Sequence, residues 1–578
     1  MTQEPPLKPA SDSIDEGKRL IRLGGDRGLS LAERISERFQ RVAWRTPFHA
    51  MRLRGRHPLK LIAVADDPFL GDPVSGNAML DGRLSFRGEE RELAELDFTR
   101  PDWSRNFSDY LHSFAWLRDL STVATRARGA PIAEALMRMW LDAHADKVAD
   151  PAWRADLWGR RILFWTAHAP LILSSTDLVY RSSVLHALAR GARHLDRSAD
   201  RVQVGAPRIA AWCGVLVAGL MIPGGDPRRS FGEAGLQRAL SQSVFDDGGI
   251  VTRSPASQVD AIRQLTMLCE SYAARRIDPP EFVGVALNRM VGALLGICHR
   301  DNGLSSWQGS GPLTGEAIAQ LVEATGVRTR PLKQARDWGY QRLAAQKTVL
   351  IIDAAPPPVA RLVEGGCAST LAFELSDNGE RIVVNCGGAR ATNVSVPLAL
   401  SEGLRTTAAH STLTVGDSNS TAIHADGTLG RGVGEVELAR QETETSSRIE
   451  ASHDGYVRRF GLTHRRQIVM ASDGRDIRGE DSLLPADKRK RKKPTMFAIR
   501  FHLAPQVEIS PTADGQAAIL RLPGGAMWQF RCRGGTLAVE DSIWIDARGR
   551  PVPTEQLVIG GEAIAGGTSI SWVFHRAR

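Results

Sequence analysis

Cysteine is scarce and scattered in this chain. Its six cysteines, Cys213, Cys269, Cys298, Cys367, Cys386 and Cys532, include no close pair, which excludes a zinc knuckle or a Cys-x-x-Cys redox motif and argues against a disulfide framework. A secretory signal is also lacking. Met1 to Lys18 mixes Pro5, Pro6 and Pro9 with Asp12, Asp15 and Glu16 and has no apolar core, so the N-terminus by itself points to the cytoplasm. The longest apolar run, Ile209 to Ile222, is too short to span a bilayer and is broken by Gly214 and Gly219; a buried helix is expected there and a transmembrane segment is not. No Gly-x-Ser-x-Gly elbow and no phosphate-binding loop occur, which removes the common hydrolase and nucleotide-binding readings. Tyrosine is rare as well, with 5 in the chain, so chemistry that needs a phenol must use Tyr110, Tyr180, Tyr272, Tyr340 or Tyr456.

What is present is a long, basic, ordinarily hydrophobic chain. At 578 residues with 42% hydrophobic residues it exceeds what one core supports, so two or more domains are expected. The net charge of +9 favours polyanionic partners. Six of those charges stand in one run, Lys488-Arg489-Lys490-Arg491-Lys492-Lys493, whose simplest reading is a solvated hairpin loop that can also gather an acidic polysaccharide. No aromatic or glycine pattern beside it supports base stacking, so specific nucleic-acid recognition is not expected.

Periodicity divides the chain. Residues 1–29 carry the composition of a disordered terminus, and 30–105 form a mixed segment with short strands such as Leu61-Ile62-Ala63-Val64 between turn signals. Over 106–340 the period is helical: after Pro131, placed in a first turn, Ile132, Ala135, Leu136, Met139, Trp140 and Ala143 fall on one face. Further helices are expected at 153–167, 177–195, 208–222, 233–245, 258–275 and 280–299. From 341 to 578 the period becomes two. Phe497, Ile499, Phe501 and Leu503 share a face, Trp528, Phe530 and Cys532 repeat the pattern, and Leu462, His464, Arg466, Ile468 and Met470 do so with a more polar start. Strands without intervening helices imply an antiparallel β-sandwich.

Two strand segments give this order of parts a family likeness. Arg381-Ile382-Val383-Val384-Asn385-Cys386-Gly387-Gly388 precedes Arg405-Thr406-Thr407-Ala408-Ala409-His410-Ser411-Thr412-Leu413-Thr414-Val415, which sets His410 at the mouth of a strand. With the long helical region before them, these segments resemble the heparinase II/III family of polysaccharide lyases. The resemblance implies a multidomain α and β fold, an incomplete α/α toroid followed by an antiparallel β-sandwich. It also implies β-elimination on an acidic, uronate-containing polysaccharide in the cell envelope or periplasm of a bacterium.

Such a reaction needs a group to neutralise the uronate carboxylate and one or two groups to move protons. Family equivalents of the neutraliser and the tyrosine fall at Ala206-Pro207-Arg208 and Arg253-Ser254-Pro255-Ala256-Ser257, which hold neither Asn nor Tyr. The His-x-His-x-Asp type opening of the strand domain reads Gly365-Gly366-Cys367-Ala368-Ser369-Thr370-Leu371-Ala372-Phe373-Glu374 here. The remaining catalytic candidates are His410, Tyr456 and His453 for proton transfer. Arg253 and Arg208 have a planar fork that suits a carboxylate; the plain alternative for each is an ion pair with Asp246, Asp247 or Asp260. Arg405, His464 and Asn385 are candidates for substrate contact. For His410 the alternative is a structural histidine bonded to a backbone carbonyl. Family zinc ligands would fall at Cys367, Asn385 and His410, of which only His410 keeps a family ligand type, so no cofactor is expected and a zinc at His410 is the minor reading. These departures leave two expectations: an active lyase with a rearranged site, or an inactive protein of the same fold that binds polysaccharide or serves exopolysaccharide assembly.

Overall fold

Side-chain caps open several of the helices. Asp72, Ser104, Asp177 and Thr314 each accept a hydrogen bond from the first turn that follows, satisfying amides that have no partner within the helix. The computed structural model describes residues 18–21, 51–99, 103–359, 365–392, 394–486, 494–564 and 566–577. Within them α1 (Pro73–Leu80) leads into a small hairpin of β2 (Arg83–Phe86) and β3 (Glu89–Glu92). Then come α2 (Arg105–Ser113), α3 (Trp116–Val123), α4 (Arg126–His144), α5 (Ala155–Ala167), α6 (Ala169–Ile172), α7 (Leu178–Ser198), α8 (Ala206–Met221), α9 (Asp226–Ser243), α10 (Pro255–Ala274), α11 (Glu281–Gly296) and α12 (Gly315–Thr325). These helices form the incomplete toroid. The apolar run becomes α8, buried along almost its whole length and packed against α5, α9 and α10. Gly159 on α5 makes this possible: a side chain there would collide with the α8 backbone at Ala210 and Ala211.

The β-domain has two packed antiparallel sheets. Its strands are β4 (Tyr340–Ala345), β5 (Thr348–Asp353), β6 (Phe373–Asp377), β7 (Glu380–Val384), β8 (Leu413–Val415), β9 (Glu435–Glu442), β10 (Ser446–His453), β11 (Leu462–Ala471), β12 (Asp476–Pro485), β13 (Thr495–Leu503), β14 (Glu508–Pro511), β15 (Ala517–Arg521), β16 (Met527–Arg533), β17 (Thr536–Ile545), β18 (Pro551–Ala563) and β19 (Thr568–Arg576). One sheet runs β17-β18-β13-β7-β6-β5-β4, with β8 also paired to β13. The other begins with β1 (Lys18–Ile21) and runs β1-β9-β10-β11-β12-β19-β16-β15-β14. The sheets meet over a core in which Phe373 stacks on Trp572 at 5.5 Å and Phe501 packs edge-on against both. Phe497, Ile499, Phe501 and Leu503 are buried together, as are Trp528, Phe530 and Cys532, so the alternation read from sequence holds.

Four local expectations are corrected. Leu61 to Val64 form no strand; the Ile62 amide instead donates to the Met221 carbonyl at the end of α8. Pro131 lies inside α4, which begins at Arg126, and the buried face is shifted to Ala133, Leu136, Met137, Trp140 and Leu141. The strand expected through Gly388 ends at Val384. The terminus expected to be disordered supplies β1 (Lys18–Ile21), which extends the second sheet by pairing with Glu435 to Leu438 of β9. The rest of 1–29 and the basic run Lys488 to Lys493 lie outside the described residues.

Candidate functional site

His410 sits where a turn at Thr407–Ala409 enters β8. It is 1% exposed, its Nδ1–H donates to the Thr406 carbonyl at 2.7 Å, and burial pushes its pKa down to about 4. A neutral imidazole tied to its own turn is a backbone brace. His502 does the same from β13, donating from Nε2 to the Ala408 carbonyl at 2.9 Å.

Asn385 follows β7 and joins both domains. Its amide donates to Glu374 Oε1 at 3.1 Å and its carbonyl accepts from the Ser411 amide at 3.0 Å. Glu374 is buried, accepts from the Ser306 amide at 2.9 Å, and contacts His299 and Arg381 at 3.3 Å each. Burial pushes its pKa up to about 7 against the pull of Arg381. Through Ser306 and His299 this carboxyl links the helical domain to β6.

Arg253 has a φ of +54° and is buried. It pairs with Asp353 Oδ1 at 2.6 Å, donates to the Trp338 and Pro356 carbonyls at 2.8 Å each, and lies 4.9 Å from the centre of the Tyr340 ring. Asp353 accepts from Ser369, which accepts from Gln308. The expected alternatives Asp246, Asp247 and Asp260 are not its partners; the ion pair is with Asp353, a residue of β5 contributed by the other domain. Arg208 is elsewhere, donating to the Val202 carbonyl and to Gln242 Oε1. Arg405 spends its guanidinium on the Gly366 and Gly427 carbonyls.

The third group lies in the second sheet. His453 and His464 stand directly opposite on β10 and β11, as do Arg466 and Asp481 on β11 and β12. Gly455 N donates to His453 Nδ1, so His453 Nε2–H donates to His464 Nδ1 at 3.1 Å and His464 Nε2–H donates to Asp481 at 2.7 Å. Arg466 grips both oxygens of Asp481, and Trp572 donates to the second. Against the upward push of burial, Arg466 and His464 hold the Asp481 carboxyl well below the usual carboxylate range. All four are buried. Tyr456 is also buried and donates from its hydroxyl to the Leu413 carbonyl at 2.7 Å.

The candidates therefore divide among separate internal networks. Arg253 joins the domain interface with Asp353; Asn385 joins Glu374; His453 and His464 join Asp481; His410, Tyr456 and Arg405 each hold backbone. Cys367, Asn385 and His410 have these protein partners, and among the described residues no three His, Cys, Asp or Glu side chains gather as metal ligands. Sequence reasoning missed His299, Asp353 and Asp481. For Asp481 a signal existed: the alternation puts Arg466 on the buried face of β11, where a carboxylate at the facing position of the next strand can pair with it.

A helical toroid leading into a two-sheet antiparallel domain is an arrangement this chain shares with several solved structures. The crystal structure of heparinase III superposes with a TM-score of 0.69 at 13% identity, over 96% of this chain and 93% of that one. Heparan sulfate lyase HepC from Pedobacter heparinus gives 0.57 at 15% identity over 92% and 87%. The Streptomyces coelicolor A3 chondroitin AC lyase gives 0.53 at 11% over 93% and 80%. Residues 327–573 match the family described as heparinase II/III-like, C-terminal. Among curated proteins it is similar to FtsZ-localized protein C of Caulobacter vibrioides, with 28% identity over 518 residues and 84% of each chain covered.

Proposed function

We propose that this protein keeps the lyase fold for binding rather than for β-elimination, and that it serves the cell envelope where FtsZ assembles by holding an acidic polysaccharide. The observation that carries this reading is the engagement of the candidate machinery. His410, His453, Tyr456 and Arg253 are each buried and bonded to other protein groups, so none is presented to a uronate. β-Elimination needs proton-transfer groups within reach of substrate, and losing such groups together removes most of the rate. The similarity to FtsZ-localized protein C supports the location, and the +9 charge supports an acidic partner.

A panel of uronate polymers, scored for binding and for the ultraviolet absorbance of unsaturated products, tests the reading. Binding without absorbance is the expected result. Absorbance that rises with time and falls in His410→Ala would restore the lyase reading. A fluorescent fusion that fails to follow FtsZ in the native cell would remove the division-site part.

A further inference from the structure

One outer face of the helical domain combines a groove, an exposed apolar pair and two unspent charges. The groove, of about 710 Å³, runs along α4, with Ala127, Ala130, Pro131 and Ala135 on one side and Ser174 and Ser175 on the other. Ser175 donates to Glu134, which Arg138 holds through Nε and one terminal nitrogen. Arg138 also reaches Asp177 at 2.8 Å, the residue that caps α7. This chain of bonds fixes the start of α7 beside the Arg138 end of the groove. There Leu178 and Val179 are 71% and 76% exposed, two neighbouring apolar side chains left in water.

α4 also carries opposite charges toward its two ends on one exposed stripe. Arg128, Ala135 and Asp142 follow at equal intervals of close to two helical turns, so they lie in line along the helix. All three are exposed, turned away from the buried side of Ala133, Leu136, Met137, Trp140 and Leu141. Among the described residues neither Arg128 nor Asp142 has an ion-pair partner. A helix with a cation toward one end, alanine midway and an anion toward the other is complementary to a copy of itself run in the opposite direction.

We propose that this face pairs with a second copy of the chain across a two-fold axis that crosses α4 at Ala135. In a contact of this symmetry the same patch serves both copies, so each feature must find its mate within the patch. The two α4 helices run antiparallel, and Arg128 of each copy meets Asp142 of the other. Ala135 meets its own equivalent on the axis, where a small side chain lets the helices approach. The axis also reverses the groove end for end. It carries Leu178 and Val179 of each copy to the Ala127 end of the other's groove, where they leave water against alanine and proline. Glu134 and Arg138 lie near the axis and already neutralise each other, so no bare charge is buried there. A foreign partner would account for the groove and the apolar pair; the charges balanced about Ala135 single out a second copy. The pairing needs no ligand and stands apart from the polysaccharide reading.

Sedimentation velocity of the full chain over a concentration series tests the pairing. The expected result is a concentration-dependent equilibrium between one and two chain masses. Ala135→Arg sets bulk and like charge on the axis and leaves a monomer throughout the series. Arg128→Glu or Asp142→Arg alone puts like charges opposite each other, and each change acts twice in a two-fold dimer, so association weakens about tenfold or more. The two changes together restore the wild-type equilibrium. Leu178→Asp weakens it as well. All four positions are exposed, so the diluted variants unfold at the Tm of the diluted wild type, which separates lost pairing from lost fold. A wild-type chain that stays monomeric throughout, or a dimer that Ala135→Arg leaves intact, overturns the proposal. A dimer that the double charge exchange fails to restore overturns the antiparallel register about Ala135.

Discussion

Arg466 and Asp481 show how much one buried charge depends on its partner. Arg466 is fully buried, grips both oxygens of Asp481 and donates to the Leu371 and Ser411 carbonyls, so it ties the second sheet to loops of the first. Removing one member of a buried pair leaves the other desolvated and unpaired. Asp481→Ala is expected to cost about 3–5 kcal/mol in denaturant unfolding, while the volume-conserving double change Arg466→Met with Asp481→Leu costs less than half of that. A double variant as unstable as the single one would mean that the hydrogen bonds to Leu371 and Ser411, rather than the charge pair, carry the stability. At this scale the sequence was half legible. Alternation placed His464 and Arg466 on the buried face of β11, yet their chemical types suggested a site, because inward-facing charge and ligand-facing charge look the same without the partner strand.

At the scale of elements, strong periodicity was read well and weak signals were not. The helices from 153 to 299 and the alternating strands β11, β13 and β16 stand close to where their patterns put them. β1 was not legible, because four residues give too short an alternation and its partner β9 is more than four hundred positions away. Leu20 is the one β1 side chain shown to be buried, at the core edge of the sandwich. Leu20→Asp is expected to release this strand and raise amide exchange in Glu435 to Leu438 of β9, with the fold otherwise retained. Unchanged protection there would show that β9 holds its edge unaided. Leu61 to Val64 erred the other way: an apolar extended run can cover helix ends as readily as join a sheet, and only the position of α8 decides between them.

Across the whole molecule, buried histidines set the response to acid. Burial pushes His112 down to about 2, His502 to about 3 and His144 and His410 to about 4, from an ordinary 6.5. Their folded pKa values are depressed, so the unfolded chain takes up protons first as pH falls below about 6.5, and stability falls with it. Glu374 opposes this, since its folded pKa is raised to about 7 and its contribution is present at low pH and lost on going above 7. The histidines outnumber it, so the guanidinium chloride midpoint is expected to be lower at pH 5 than at pH 7.5. An equal or higher midpoint at pH 5 would mean that Glu374 and the other raised carboxyls dominate.

The order of helices and strands, the basic charge, the apolar α8 and the face of each long strand followed from the sequence alone, because they depend on spacing within a few residues and on which groups water excludes. The roles of His410, Arg253, Asn385, His453 and Tyr456 did not. Each was a reactive side chain in a suggestive context, and each became a brace or a latch once the fold brought Asp353, Glu374, His464 and Leu413 beside Arg253, Asn385, His453 and Tyr456, and once the turn before β8 set the Thr406 carbonyl against His410. A polar group is available to a ligand only when no other part of the chain has already claimed its hydrogen bonds. That accounting is settled by contacts between distant segments, which the tertiary structure alone supplies.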